Sequence, residues 1–168
     1  MTIEHLSADQ ARAVLPELAE VLQDAVHNGA SVSFLPPLKL EEAARFWEKV
    51  VQGIENGTRV LLVARENRLV GTVMLEFATM PNGLHRAEVQ KLLVHTSARR
   101  QGIAQKLMGE MEKAAKEAGK TLLVLDTCRG YEAERLYRRL GWREVGVIPK
   151  FAKEPEGYCD TVIFYKPL

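Results

Sequence analysis

The sequence predicts an α+β protein with a mixed sheet of six to seven strands flanked by about four helices. Three stretches carry that expectation. Arg59 to Ala64 and Leu69 to Phe77 are β-branched and apolar around Glu66-Asn67-Arg68, as in an antiparallel hairpin. Ala87 to Val94 reads as a buried strand and runs through Arg99-Arg100-Gln101-Gly102-Ile103-Ala104 into Leu107, Met111, Ala114, Ala115 and Ala118 at helical spacing. Thr121 to Asp126 is a continuous apolar run between two helical segments, which suits a central strand.

The other elements follow in order. Ile3 to Leu6 can form a short strand, and Ser7 or Asp9 can cap the helical region after it. Val14, Leu15, Leu18, Leu22, Ala25 and Val26 share one face of that region. Pro16 requires either a fresh helix start just before it or a kink. Asn28-Gly29 ends the helix, and Ala30 to Leu38, with two prolines, reads as a loop. A second helix is expected from Leu40 to Glu55, and Pro81-Asn82-Gly83 is a turn. A helix from Tyr131 to Leu140 stops at Gly141. Two late strands, Arg143 to Ile148 and Thr161 to Lys166, flank a loop at Glu154 to Gly157. No repeat or linker interrupts the 168 residues, so they are expected to form a single domain.

Bulk properties narrow the partners. A net charge of +1 calls for neither nucleic acid nor an anionic membrane. No apolar run approaches the roughly 18 residues of a membrane span, and Met1-Thr2-Ile3-Glu4-His5 lacks the charge and apolarity of a signal segment. Cys128 and Cys159 make no disulfide framework and no Cys-x-x-Cys pair. A cytoplasmic location is therefore expected. His5, His27, His85 and His95 lack the spacing of metal ligands, so no metal is expected.

Arg99 to Ala104 joins a strand to the first turn of a helix, where unpaired N–H groups and the positive end of the helix dipole face outward. Gly102 allows close approach of a ligand, Ala104 keeps the next turn slim, and Arg99 and Arg100 add positive charge. Such a helix start suits a pyrophosphate. The spacing is neither that of a P-loop nor that of a dinucleotide fingerprint. Arg-x-x-Gly-x-Ala here resembles the acetyl-CoA pyrophosphate loop of the GCN5-related N-acetyltransferase (GNAT) family. Leu136-Tyr137-x-x-Leu140-Gly141-Trp142 resembles the signature that closes the acetyl-CoA site in that family. The two motifs stand in the family's order, separated by one helix and one apolar strand, and the resemblance covers nearly the whole chain. It implies the GNAT fold and the acetylation of an amine with acetyl-CoA as co-substrate. Within the family, Pro81 to Leu84, Arg86 to Leu92, Leu125-Asp126-Thr127 and the segment around Val26 to Val32 look like the tabtoxin-resistance type, which acetylates a β-lactam toxin.

Glu88 is a carboxylate among Val89, Leu92, Leu93 and Val94, and period-two alternation puts Glu88, Gln90 and Leu92 on one face unless a bulge intervenes. It is either a solvated strand end paired with Arg86 or Lys91, or the general base that the resemblance implies. Asp126 closes an apolar strand, where open sheets present ligand-binding residues. It either caps the following turn or, as the resemblance implies, belongs to the catalytic and substrate site. Tyr137 corresponds to the family tyrosine that points at the thioester sulfur, and so to the general acid and a cofactor contact. Leu92, Leu93 and Val94 correspond to the main chain that holds the pantetheine arm, and Arg99 to Ala104 to the diphosphate site. Phe34, in the loop after the first helix, is expected to line the acceptor site.

The acceptor expected is a small-molecule amine: a β-lactam amino acid or antibiotic-like toxin first, or else another amino acid, a polyamine or a peptide N-terminus. Attack is expected to be direct, in a ternary complex. A thioester relay through Cys128 has little to support it, because no histidine stands beside it. The competing class is a non-catalytic acyl-CoA sensor, which needs only Arg99 to Ala104. The sequence leaves oligomeric state open, a homodimer included.

Overall fold

A computed structural model describes residues 1–168. The chain runs β1 (Thr2–His5), α1 (Ala8–Ala13), α2 (Leu15–His27), α3 (Leu40–Glu55), β2 (Arg59–Arg65), β3 (Leu69–Phe77), β4 (Arg86–Val94), α4 (Ile103–Glu117), β5 (Leu122–Cys128), α5 (Glu132–Arg139), β6 (Arg143–Glu154) and β7 (Gly157–Pro167). All seven strands join one sheet in the order β1-β2-β3-β4-β5-β7-β6. Only β4 and β5 pair in parallel. The α+β reading with a mixed sheet holds, with five helices rather than four because the first helical region is divided.

That division has a local cause. Ser7 accepts from the Gln10 N–H while the Gln10 side chain accepts from the Ser7 N–H, a reciprocal cap that starts α1. Pro16 then sits in the first turn of α2, where its missing N–H costs nothing. Of the two expected solutions, the chain takes the fresh start.

Two apolar clusters cover the two faces of the sheet. Helices α1, α2 and α3 pack on one face around Leu18, Leu22 and Trp47; α4 packs on the other with Leu107, Met108 and Met111, joined by Tyr137, Trp142 and Phe164. Strand β2 feeds both clusters alternately, Leu61 and Val63 to the first, Val60 and Leu62 to the second. Gly71 of β3 lets α4 close down, since a Cβ there would lie 3.0 Å from the Leu93 carbonyl oxygen and 3.1 Å from Leu107 Cδ1.

Strand β4 departs from simple alternation. Ala87 and Val89 belong to the α4 face, and Leu92 and Val94 pack against the same face. The ladder with β3 shifts register between Thr72 and Met74, and Lys91 takes a left-handed φ of 52°. This is a bulge. It keeps Glu88 on the α2–α3 side and moves Leu92 to the other, correcting the expectation that Glu88, Gln90 and Leu92 share one face. The β4–β5 ladder spans only Arg86 to Glu88 against Leu122 to Val124. Beyond Glu88 the two strands part, and the sheet opens between them.

Two further expectations need correction. The late hairpin is longer than its apolar stretches suggest: β6 and β7 pair to Glu154 opposite Gly157, so the expected loop is a tight turn. Exposed Val145, Ile148 and Phe151 break the pattern that marks a half-buried strand. Cys128 and Cys159, read from the sequence as unpaired, form a disulfide across 31 residues with Cα atoms 5.8 Å apart. Disulfides are uncommon in cytosolic proteins, so cysteine usage no longer supports a cytoplasmic location. No helix is long and apolar enough to cross a membrane.

Candidate active site

The loop between β4 and α4 makes one 3-10 turn at Thr96–Ala98 and then places Arg100 and Gly102 in left-handed conformations, φ 64° and 75°. The backbone N–H groups from Arg100 to Gln105 find no acceptor within the chain. A helix start with its donors unspent and two arginines beside it has the donors and the charge to receive an anion. It opens into a cleft of about 750 Å³ bounded by the end of α2, the end of β4 and one side of α5. Leu92, Leu93, Val94, Arg99, Arg100, Gly102, Ile103 and Ala104 line this cleft; Gln101 and Tyr137 do not.

Asp24 of α2 ties the loop down. It accepts from the Thr96 N–H (2.8 Å) and the Thr96 hydroxyl (2.7 Å) and lies 3.6 Å from His95 Nε2. Replacing Asp24 with Ala leaves the Thr96 donors unmatched, at a cost of about 1–3 kcal/mol. A lower Tm, together with weaker binding of any ligand gripped at Arg100 to Gln105, is the expected result for Asp24→Ala, checked by thermal melts and calorimetry.

On the opposite face, past the point where β4 and β5 part, the charged groups gather. Glu88 is half-buried, and desolvation raises its carboxyl above the usual range; a hydrogen bond with Gln90 opposes the rise, and Asp126 adds to it. Asp126 keeps an exposed edge, yet desolvation raises it also, with Lys91 opposing. Neither carboxylate makes a salt bridge, so Glu88 is not the solvated partner of Arg86 or Lys91. By contrast, Glu76 is committed to Arg59 (2.6 Å) and to the Gln90 amide (2.9 Å).

Tyr137 comes from the α4 side and is 6% exposed, its ring 6.0 Å from that of Trp142 and 6.1 Å from that of Phe164. Desolvation first and Asp126 second raise its phenol well above the ordinary range. Its hydroxyl has no partner in the chain, yet it is not among the sealed, unsatisfied polar atoms, which are the Trp47 and Trp142 indole nitrogens. Asp126 thus acts on Glu88, on Lys91 and on Tyr137, through the gap where β4 and β5 no longer pair.

A smaller cleft of about 360 Å³ adjoins the large one, sharing Gly29, Ala30 and Tyr131 with it. Phe34 lines it, packed edge-on to Phe46 at 5.4 Å. The Tyr131 hydroxyl bonds the Glu154 carboxylate, which joins the α5 start to the β6–β7 turn across this cleft and pushes Tyr131 up to about 12. The sequence offers Tyr131, with Arg129 and Ala30 to Leu38, as shaping acceptor choice; Glu154 was missed, because it meets Tyr131 only through the long hairpin. Also missed were Arg135 and Arg139, which line the large cleft one helical turn apart on α5. Their i, i+4 spacing was legible and marks one positive face. Lys91 was missed because only the bulge turns it into the interior.

A family model described as Acetyltransferase (GNAT) family matches residues 19–142. The ribosomal-protein-alanine N-acetyltransferase from Brucella melitensis superposes with a TM-score of 0.82 at 26% identity, over 100% of both chains. A Salmonella typhimurium protein solved with acetyl-CoA as its cofactor gives 0.80 at 19% identity, covering 100% of this chain and 94% of that one. An aminoglycoside 6'-acetyltransferase type Ii gives 0.73 at 20% identity, over 99% and 97%. With the family model spanning most of the sheet, the loop at Arg99 to Ala104 and the α5 tyrosine, the chain belongs to the GNAT family and is an acetyltransferase of that family.

Proposed function

We propose that this chain transfers the acetyl group of acetyl-CoA to the amine of a small molecule by direct attack in a ternary complex. The unspent N–H groups from Arg100 to Gln105, opening into the large cleft at the end of β4, carry the reading. These donors and Arg99 and Arg100 hold the diphosphate; Leu92 to Val94 flank the pantetheine arm with main chain. The acyl group then lies where β4 and β5 part.

An amine of pKa near 10 arrives mostly protonated. Glu88, with Asp126 beside it, attracts the ammonium and takes its proton, directly or through water. The nitrogen lone pair forms the C–N bond at the thioester carbon; the tetrahedral intermediate collapses by breaking the C–S bond, while the nitrogen gives up its remaining surplus proton to water. Tyr137 supplies the proton to the departing thiolate and regains one from water. Its phenol remains protonated throughout the working range, and a thiolate formed against apolar walls is itself raised in pKa, which brings the two into reach of each other. The acceptor enters from the smaller cleft, past Phe34. Among acceptors, a β-lactam amino acid is the first to try, on the segments that look like the tabtoxin-resistance type; the aminoglycoside and ribosomal-protein neighbours make other antibiotics and peptide N-termini the next.

The test is thiol release over an amine panel for wild type and Tyr137→Phe. An acid contributes about 10²–10⁴-fold. Phenylalanine at 137 is expected to lower kcat by at least about tenfold with little change in KM for acetyl-CoA. Tight acetyl-CoA binding without turnover of any amine would instead establish the acyl-CoA sensor.

A further inference from the structure

Three charges on the acceptor side of the sheet lack an ion-pair partner: the carboxylates of Glu88 and Asp126 and the ammonium of Lys91. Lys91 is 9% exposed. Its Nζ has one protein hydrogen bond, a long one of 3.4 Å to Ser33 Oγ, and it lies 5.1 Å from the Phe46 ring centroid and 5.9 Å from that of Phe34. Aromatic faces return only part of the hydration an ammonium gives up. Arg59, the other cation of the cluster, is already engaged by Glu76. The bulge that turns Lys91 inward, at φ 52°, also spends backbone strain to place it there.

A lone ammonium is the wrong lining for a pocket that has only to receive a cation, since it repels an incoming polyamine. Two free carboxylates and one free ammonium match an acceptor with the opposite set. We infer that Lys91 is the acceptor-specificity residue of this site: its ammonium receives a carboxylate on the acceptor, so the preferred acceptor is an amino acid rather than a polyamine or simple amine. Phe34, the cleft-lining residue under Lys91, places that carboxylate at the mouth of the smaller cleft. The inference rests on the reading of Glu88 and Asp126 as the groups that flank the acceptor nitrogen. Desolvation lowers the Lys91 ammonium and raises both carboxylates, so each is poised for a partner that restores its charge.

The experiment uses matched sets: free amino acids, their carboxamides, the corresponding decarboxylated amines, and spermidine. Thiol release gives kcat/KM for each, corrected to the neutral amine, and calorimetry on the CoA complex gives binding without turnover. A charge-assisted contact predicts that free acids exceed their carboxamides by about 10–100-fold, mostly through KM. In Lys91→Met that ratio collapses toward one, and in Lys91→Arg most of it returns. Carboxamides that match the free acids on the wild-type protein overturn the inference, and so does a ratio unmoved in Lys91→Met. The wild-type comparison decides by itself where the methionine variant does not fold. Free acids that bind with the expected ratio and are never acetylated overturn the catalytic reading while leaving Lys91 as the anion receptor.

Discussion

Glu88→Gln is expected to lower kcat by about 10²–10³-fold while leaving acetyl-CoA affinity close to that of wild type. Glutamine keeps the shape and the hydrogen-bonding reach toward Gln90 but cannot take a proton. Glu88 is not among the residues that line the large cleft beside the Arg100 to Gln105 N–H groups, so the loss should fall on chemistry. The pH profile makes the assignment specific. Desolvation, aided by Asp126 and Glu76, raises the Glu88 carboxyl, and the base works only when ionised. For wild type, kcat/KM should climb with pH along an acidic limb that lies above the ordinary carboxylate range. In Glu88→Gln that limb should vanish, leaving only the rise due to deprotonation of the amine itself.

The same shift fixes a stability effect of opposite sense. A carboxyl whose pKa is raised by folding favours the folded state in its neutral form, below its unfolded pKa. That contribution is lost as pH rises through the raised folded value. At neutral pH the ionised Glu88 therefore costs stability, and glutamine removes the cost. The Tm of Glu88→Gln relative to wild type should increase from acid to neutral pH. Loss of the Glu88 attraction for Lys91 works against this and is smaller, because desolvation heads the causes at both residues. A variant slower in catalysis yet more heat-stable at neutral pH is the signature of a buried functional carboxylate. A variant with normal kcat, or with the acidic limb intact, would remove Glu88 from the chemistry.

Local signals carried most of the architecture. Periodicity at Leu107, Met111 and Ala115 and the apolar run at Leu122 to Leu125 depend only on near neighbours in the chain, and both elements stand where the sequence puts them. The helix start at Gly102 was legible for the same reason. What stayed hidden depends on pairing between distant segments. The bulge at Lys91 arises from the register of β4 against β3, and a single position of slip decides whether Gln90, Lys91 or Leu92 faces the acceptor. The hairpin from Arg143 to Pro167 is exposed enough to hide its alternation. The cysteines meet because β5 and β7 pair, with Cys128 opposite Thr161, two residues beyond Cys159. Tyr137 was identified by motif, but its burial against Trp142 and Phe164, and its sensitivity to Asp126, belong to the fold.

Gly102→Ala offers the second large effect, and it separates folding from binding. Gly102 holds a left-handed φ of 75° at the start of α4, and a Cβ there would meet nothing within 4 Å. The fold therefore loses only the backbone preference, about 1–2 kcal/mol for a residue with a side chain in this region. The space a methyl group would occupy is the space before the N–H groups from Arg100 to Gln105, where a diphosphate approaches. Affinity for acetyl-CoA is expected to fall by about 10–100-fold, the loss of one or two charge-assisted hydrogen bonds. Pantetheine lacks the diphosphate and reaches only the Leu92 to Val94 stretch, so its weaker binding should be almost unchanged. Calorimetry of CoA and pantetheine against wild type and Gly102→Ala gives a two-by-two comparison in which only one cell moves. Equal losses for both ligands would mean that the substitution has distorted the cleft as a whole. No loss for CoA would mean that the turn opening α4 does not hold the phosphates, and the placement of the acyl group beside Glu88 and Tyr137 would go with it.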